Sequence, residues 1–319
     1  MPVPAAGVGY LRFLLRSETD GRLFAAGRPA DRAASLPAPE EILALLKILI
    51  TRGARRVRIG GDDPGLRTDL VDIVSTLSGL PGISSVALSS RGLGLVGRAT
   101  DLARAGLRGV NFHLDTLRPA RYAGGEKERD FEEVWKAVEE CLAADLTVKL
   151  NVVPIRGIND DEIGDFVALT RQRPLSVRFV EWNVDTDLIP APEAFMPTWE
   201  TMAAMPFAME PVEPAAHAGP AILFRADGHQ GTVGFIPNVT DHFCSDCHRV
   251  GLTDAGEIVS CLFGRGLDVV RHLRATNGVA EAETFIDRVI RRKTSLSAKL
   301  AGWESPSAVV AASTPASSG

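Results

Sequence analysis

From about Glu40 to Trp182 the chain alternates between two hydrophobic periods. Short runs rich in β-branched and aromatic residues fall at Arg55–Ile59, Val86–Ser90, Gly109–His113, Thr147–Val153 and Ser176–Trp182. Between them apolar residues recur at helical spacing over Glu40–Thr51, Arg67–Leu77, Val96–Ala105, Phe131–Ala144 and Asp160–Thr170. Repeated strand–helix units of this length require parallel strands joined by right-handed crossovers. The pattern predicts an α/β fold, either an open doubly wound sheet or a full or partial barrel, with functional groups at the C-terminal ends of the strands. The alternation stops at Ile189–Pro197, where three prolines punctuate the chain, and Met202–Val239 reads as irregular strands. Residues 1–199 are therefore expected to form one module and residues 200–300 a second. The remainder, 301–319, is rich in Ser, Ala and Pro without a period and is expected to be a disordered tail.

With 45% hydrophobic residues in 319, the chain can bury a substantial core. Its start lacks a basic segment followed by a continuous apolar one, and the most apolar helical stretch, Ile42–Ile50, is interrupted by Lys47. Neither export nor membrane insertion is expected, which leaves the cytoplasm as the expected compartment. A net charge of -5 argues against a nucleic-acid surface, although local arginine pairs can bind a phosphorylated small molecule.

The chemistry concentrates near the C-terminus. Cys244, Cys247 and Cys261 form a C-x2-C-x13-C set that holds three of the four cysteines. Two thiolates three positions apart can grip one metal centre from a single turn, and the third arrives once Gly251–Ser260, with its Asp-Ala-Gly turn, has doubled back. Zinc would take His242 or His248 as a fourth ligand, whereas a cubane iron-sulfur cluster on three thiolates leaves one iron open. Spacing alone permits both. Asp241, Asp246, His248 and Arg249 make the surroundings too polar for inert core cysteines. Cys141, in an apolar helical pattern with Val134, Val138 and Leu142, reads as a packed core residue, and so few cysteines argue against disulfides.

Several segments, taken in order, resemble the radical S-adenosylmethionine GTP 3',8-cyclases that begin molybdenum-cofactor synthesis. They are Tyr10-Leu11-Arg12, Arg56-Val57-Arg58, Asn111 to Leu117, Lys149-Leu150-Asn151, Arg156 to Glu162, Arg178-Phe179-Val180-Glu181, and Phe235-Ile236-Pro237 leading into the cysteines. The resemblance implies a partial (β/α)6 barrel with a C-terminal extension. It also implies that Cys244, Cys247 and Cys261 hold one [4Fe-4S] cluster facing a nucleotide, with zinc as the second choice. Arg12, Arg56, Lys149, Arg178 and Arg249 stand where cations would face a triphosphate, and guanidinium forks suit phosphate oxygens. The expected ligand is a purine nucleotide or related phosphorylated molecule, and the expected assembly a homodimer or a complex with a biosynthetic partner.

The chain also departs from the family pattern. A first cluster on C-x3-C-x2-C should follow the Leu-Arg strand, but its three positions fall on Thr19, Leu23 and Ala26, and the first cysteine anywhere is Cys141. Those side chains cannot replace three thiolates on iron. The Gly-Gly-Glu-Pro turn reads Gly61-Asp62-Asp63-Pro64, Thr-Asn-Gly reads Ser90-Arg91-Gly92, and the serine before Leu-Asp-Thr is His113. These changes argue against S-adenosylmethionine as a cofactor. The Cys-Asn-Arg-x-Arg pattern keeps Arg249 but ends in Gly251, and the family's final Gly-Gly is Ser318-Gly319. The expected function is therefore non-radical lyase, hydratase or desulfurase chemistry at an open iron. The alternatives are a non-catalytic ligand-binding or partner protein, and GTP 3',8-cyclase activity itself.

Overall fold

Strands and helices alternate as the hydrophobic periods predict. In chain order they are β1 (Tyr10–Leu15), α1 (Pro39–Thr51), β2 (Arg56–Gly61), α2 (Leu70–Gly79), β3 (Ser85–Ser90), α3 (Ala99–Arg104), β4 (Leu107–His113), α4 (Lys127–Ala143), β5 (Thr147–Val152), α5 (Ile163–Leu169) and β6 (Ser176–Val180). There follow α6 (Thr198–Ala203), β7 (Met209–Pro211), β8 (Ile222–Ala226), β9 (Thr232–Ile236), β10 (Arg249–Thr253), β11 (Glu257–Val259), β12 (Leu267–Asp268), α7 (Val270–Leu273) and α8 (Gly278–Leu300). The structure, a computed structural model, describes residues 8–15, 37–61, 63–122, 127–182, 192–213, 220–240, 247–261 and 266–300. Thr19, Leu23, Ala26, Asp62, His242, Cys244 and the stretch 301–319 lie outside the described residues. Where helix boundaries differ from expectation, local chemistry explains it. Arg67 is extended and its Nε donates to Asp69 at 2.8 Å, so α2 starts later.

The chain divides into two compact units. The first comprises the described parts of Met1–Asn111, Glu133–Thr147 and Cys247–Ser297. Its strands run in the order β12-β11-β10-β1-β2-β3. Strand β1 is bonded in parallel on both sides, Tyr10 lying opposite Arg249 of β10 and Arg56 of β2. Its alternation turns Leu11, Phe13 and Leu15 into the core and leaves Tyr10, Arg12 and Leu14 on the other face. Where β2 leaves β1, Gly61 has φ +125°, and a Cβ there would meet the Leu15 carbonyl oxygen at 1.8 Å, so only glycine fits. The expected doubling back of Gly251–Ser260 is the antiparallel β10–β11 hairpin, turned by Asp254-Ala255-Gly256 with Gly256 at φ +73°. Helix α8, which the hydrophobic pattern did not single out, buries Ala282, Ile286, Val289 and Ile290 along one face. Arg52 after α1 holds it by donating to Asp287 at 2.9 Å and to Glu283 at 3.0 Å.

The second unit comprises the described parts of Phe112–Glu132, Val148–Asp246 and Ala298–Gly319. Its strand order is β5-β6-β9-β8-β7. The irregular strands expected before the cysteines are an antiparallel meander whose last strand, β9, lies parallel to β6. Phe179 and Phe235, partners in that register, stack with centroids 5.9 Å apart in the core.

Cys141 is fully buried with Val134, Ala137 and Val138 on one face of α4. Burial, and then the charge of Glu140, push its thiol up to about 12. In the native chain at pH 8 a thiol reagent should leave Cys141 unlabelled while reacting with exposed Cys261, and denaturant should release it. Rapid native labelling of Cys141, read by peptide mass, would contradict this packing.

Candidate functional site

In the first unit the sheet register assembles a cationic face. Residues two apart on a strand share a face, so Tyr10 and Arg12 of β1 lie beside Arg56 and Arg58 of β2 and beside Arg249 and Gly251 of β10. The Arg56 and Arg58 guanidinium carbons stand 5.6 and 5.5 Å from the Tyr10 ring centroid, within cation–π range. Arg12 shows the cost of this crowding. Burial, followed by the charges of Arg249 and Arg58, lowers its pKa to about 10. Arg58 Nε is buried and without a hydrogen-bond partner among the described residues. Like charges on adjacent strands repel and a buried donor without an acceptor is costly, and a bound anion would offset both.

Cys247 lies two residues ahead of the start of β10. Burial pushes its thiol up, but the Arg249 N–H, the Arg249 charge and the Lys293 ammonium outweigh burial and lower it. Lys293 Nζ donates to Cys247 Sγ at 3.3 Å. Cys261, past the end of β11, is exposed, as is His248. Among the described residues no three His, Cys, Asp or Glu side chains form a metal-binding group, and Cys244 lies outside them. The chemistry of Cys247, a thiol drawn toward thiolate by two cations, fits a ligand of an iron-sulfur cluster.

In the second unit Lys149 lies opposite Ser176, and Asn151 opposite Arg178, on neighbouring strands β5 and β6. Arg178 is 4% exposed and its Nε donates to Ser176 Oγ at 3.4 Å. Asn151 Oδ1 is buried without a donor among the described residues. After β6 comes Glu181, 3% exposed. Its Oε1 accepts from Thr198 N (2.7 Å) and Thr240 Oγ1 (2.5 Å), and its Oε2 from Val239 N (2.9 Å) and Thr240 N (2.8 Å). The carboxylate thus pins the start of α6 to the residues just ahead of the cysteine segment.

Two family models match the chain: the Radical SAM superfamily over residues 21–170 and Molybdenum Cofactor Synthesis C over residues 175–298. The GTP 3',8-cyclase of Moorella thermoacetica is 34% identical over 310 residues, covering 95% of this chain and 96% of that protein. The chain belongs to the GTP 3',8-cyclase family. The enzyme of that name from Heliobacterium modesticaldum is 40% identical over 71% of each chain. Molybdenum cofactor biosynthesis protein 1 of Mus musculus is 34% identical over 84% of this chain and 43% of its own length. Streptococcus suis SuiB, solved with S-adenosylmethionine, superposes with a TM-score of 0.53 at 14% identity, over 88% of this chain and 68% of that one. That likeness and the strand–helix alternation identify the fold as the partial TIM-like barrel of radical S-adenosylmethionine enzymes.

Within this GTP 3',8-cyclase family member, three of the five expected cations, Arg12, Arg56 and Arg249, meet on one face of the first unit. Lys149 and Arg178 lie on adjacent strands of the second. Two further residues belong with them, Arg58 and Asn151. Each stands two positions beyond an expected cation on the same strand, so strand alternation could have found both. At the turn that replaces the family's Gly-Gly-Glu-Pro, Asp63 is buried, and its Oδ1 accepts from Ser90 Oγ (2.5 Å) and Gly65 N (3.3 Å). Burial raises the Asp63 carboxyl against the pull of these donors. Ser90 Oγ accepts in turn from Gly92 N at 2.9 Å. His113 is exposed at the end of β4. For a first cluster the donor set does not fit, because Thr19, Leu23 and Ala26 offer iron no thiolate. No described helix is long and apolar enough to cross a membrane.

Proposed function

We propose that this chain binds GTP, with its phosphates on the Arg12, Arg56, Arg58 and Arg249 face and an iron-sulfur cluster held by Cys244, Cys247 and Cys261. In this reading it serves the 3',8-cyclase step of molybdenum-cofactor synthesis. The observation that carries the reading is the arginine face around Tyr10, whose lowered Arg12 and stranded Arg58 Nε call for a polyanion. Three thiolates would leave one iron of a cluster without a protein ligand, a position open to a ligand heteroatom. Residues 1–199 then serve as the barrel module and residues 200–300 as the cysteine-bearing one. The lyase, hydratase or desulfurase chemistry expected at an open iron gains no support from the relatives, which are named for GTP 3',8-cyclisation or molybdenum-cofactor biosynthesis.

One observation favours a second reading. With no cysteine at Thr19, Leu23 or Ala26, the chain lacks thiolates for a radical-generating cluster, so it would bind GTP without turning it over, as a partner of an active cyclase. The second reading predicts about four irons per chain after anaerobic reconstitution, whereas turnover by the chain itself needs a second, radical-generating cluster and so about eight. About eight irons would refute the missing first cluster, and zinc alone would refute the iron-sulfur assignment. GTP binding by calorimetry tests the shared part, and product formation with S-adenosylmethionine and reductant separates the two readings. A chain that binds no GTP overturns both.

A further inference from the structure

Lys293, half-buried, continues the buried stripe on α8. It follows Ala282, Ile286, Val289 and Ile290 at helical spacing, so the packing that seats the helix also directs this side chain inward. The two ion pairs from Arg52 to Glu283 and Asp287 fix the preceding turns. The half-buried ammonium ends on two acceptors, Cys247 Sγ at 3.3 Å and the Arg249 carbonyl oxygen. Among the described residues no carboxylate pairs with it, although it lies beside a guanidinium cluster that already crowds positive charge. A half-buried cation with no carboxylate beside it is costly, and among the described residues the side-chain atom it donates to is the sulfur of Cys247.

We infer that Lys293 is a positioning residue for the cluster ligand Cys247: its N–H···S bond fixes the orientation of the sulfur and sets the electron density on it. The inference rests on the iron-sulfur reading above. Donation to a ligating sulfur withdraws charge from the cluster and makes reduction easier, a general lever on iron-sulfur potentials. The same ammonium holds the Arg249 carbonyl, so it couples the ligand strand to α8 through a single side chain. Nothing in the cysteine spacing marks it, because it lies far along the sequence.

The test is a spectroelectrochemical titration of the reconstituted full chain and of Lys293→Met and Lys293→Arg, with electron paramagnetic resonance of the reduced state and iron counted per chain. Lys293→Met should load iron, show a more negative midpoint potential and altered g-values, and lose iron to a chelator several times faster. Lys293→Arg, which keeps a charged donor, should recover part of each change. A merely structural lysine would lower the melting temperature and leave potential and g-values where they are, and that outcome overturns the inference. Should Lys293→Met fail to fold, Lys293→Ala carries the test, because it too removes the donor, and an unshifted potential and spectrum there, combined with unchanged iron retention, equally overturn the inference. A wild-type chain that takes up no iron overturns the iron-sulfur reading and this role with it, whereas a loaded wild type with indifferent variants overturns the role alone.

Discussion

Glu181→Ala should lower the unfolding free energy by ~3–5 kcal/mol. The carboxylate is 3% exposed and accepts four hydrogen bonds between 2.5 and 2.9 Å. Alanine would strand three backbone N–H groups and a hydroxyl, each costing about 1–3 kcal/mol when buried without an acceptor, with partial relief from water. Glu181→Gln should fall between, since its amide brings donors to face donors. The pH dependence has a definite sign. Burial pushes the Glu181 carboxyl up, but the Thr240 hydroxyl and the N–H groups of Thr240, Thr198 and Val239 outweigh it and hold the carboxyl below its ordinary value. A depressed native pKa gives stabilisation that is complete above the unfolded value of about 4.3 and is lost as pH falls through the native one. Wild-type stability should therefore drop on acidification below that point, and Glu181→Ala should lack this part of the slope. Denaturant unfolding at several pH values measures both, and a change under about 0.5 kcal/mol at pH 7 would refute the clamp.

Arg12→Met should weaken GTP binding by roughly 10- to 150-fold while leaving the ligand-free chain as stable as wild type or more so. Charge-assisted bonds to phosphate are worth about 1.5–3 kcal/mol, which sets the affinity range. The opposite effect on stability follows from the same geometry. Without an anion, Arg12 is half-buried beside Arg249 and Arg58, and burial, followed by those two charges, lowers its pKa to about 10. Removing one charge relieves that repulsion. Arg58→Met should behave alike, because its Nε has no acceptor among the described residues. Arg104→Ala is the control, since its 3.5 Å contact with Asp101 lies on exposed surface and should move neither quantity. Affinity should also fall as salt rises. Equal losses of stability and affinity in Arg12→Met would mean that the guanidinium holds the fold together and is no ligand group.

The barrel half was legible because each element carries its own period: Val148, Leu150 and Val152 alternate on β5, and Val134, Val138 and Cys141 fall on one face of α4. The β10–β11 hairpin was legible from a glycine and an aspartate at its turn. What stayed hidden depends on residues far apart in sequence. Arg58 reads as an ordinary polar strand position until register sets it beside Arg12 and Tyr10. Glu181 reads as one more acid at the end of a strand until Thr198, Val239 and Thr240 close around it. Lys293 sits in a run of basic residues that looks like a solvated helix face, and only the seating of α8 turns it toward sulfur. Propensity and period are local, whereas these three roles come from pairing and packing.

The parallel bond between β1 and β10 has a consequence for the order of events on the ribosome. Strand β1 emerges early, with Tyr10 and Arg12 already in place, but their neighbours Arg249 and Gly251 are translated only after the whole barrel has been made. Until then the nascent chain carries β1 with one edge open, the kind of surface that chaperones shield and that pairs wrongly when crowded. The arginine face therefore cannot form on a product that stops short of β10: such a chain would hold Tyr10, Arg12, Arg56 and Arg58 and lack Arg249, so any affinity for the proposed nucleotide would arise only once β10 has been made.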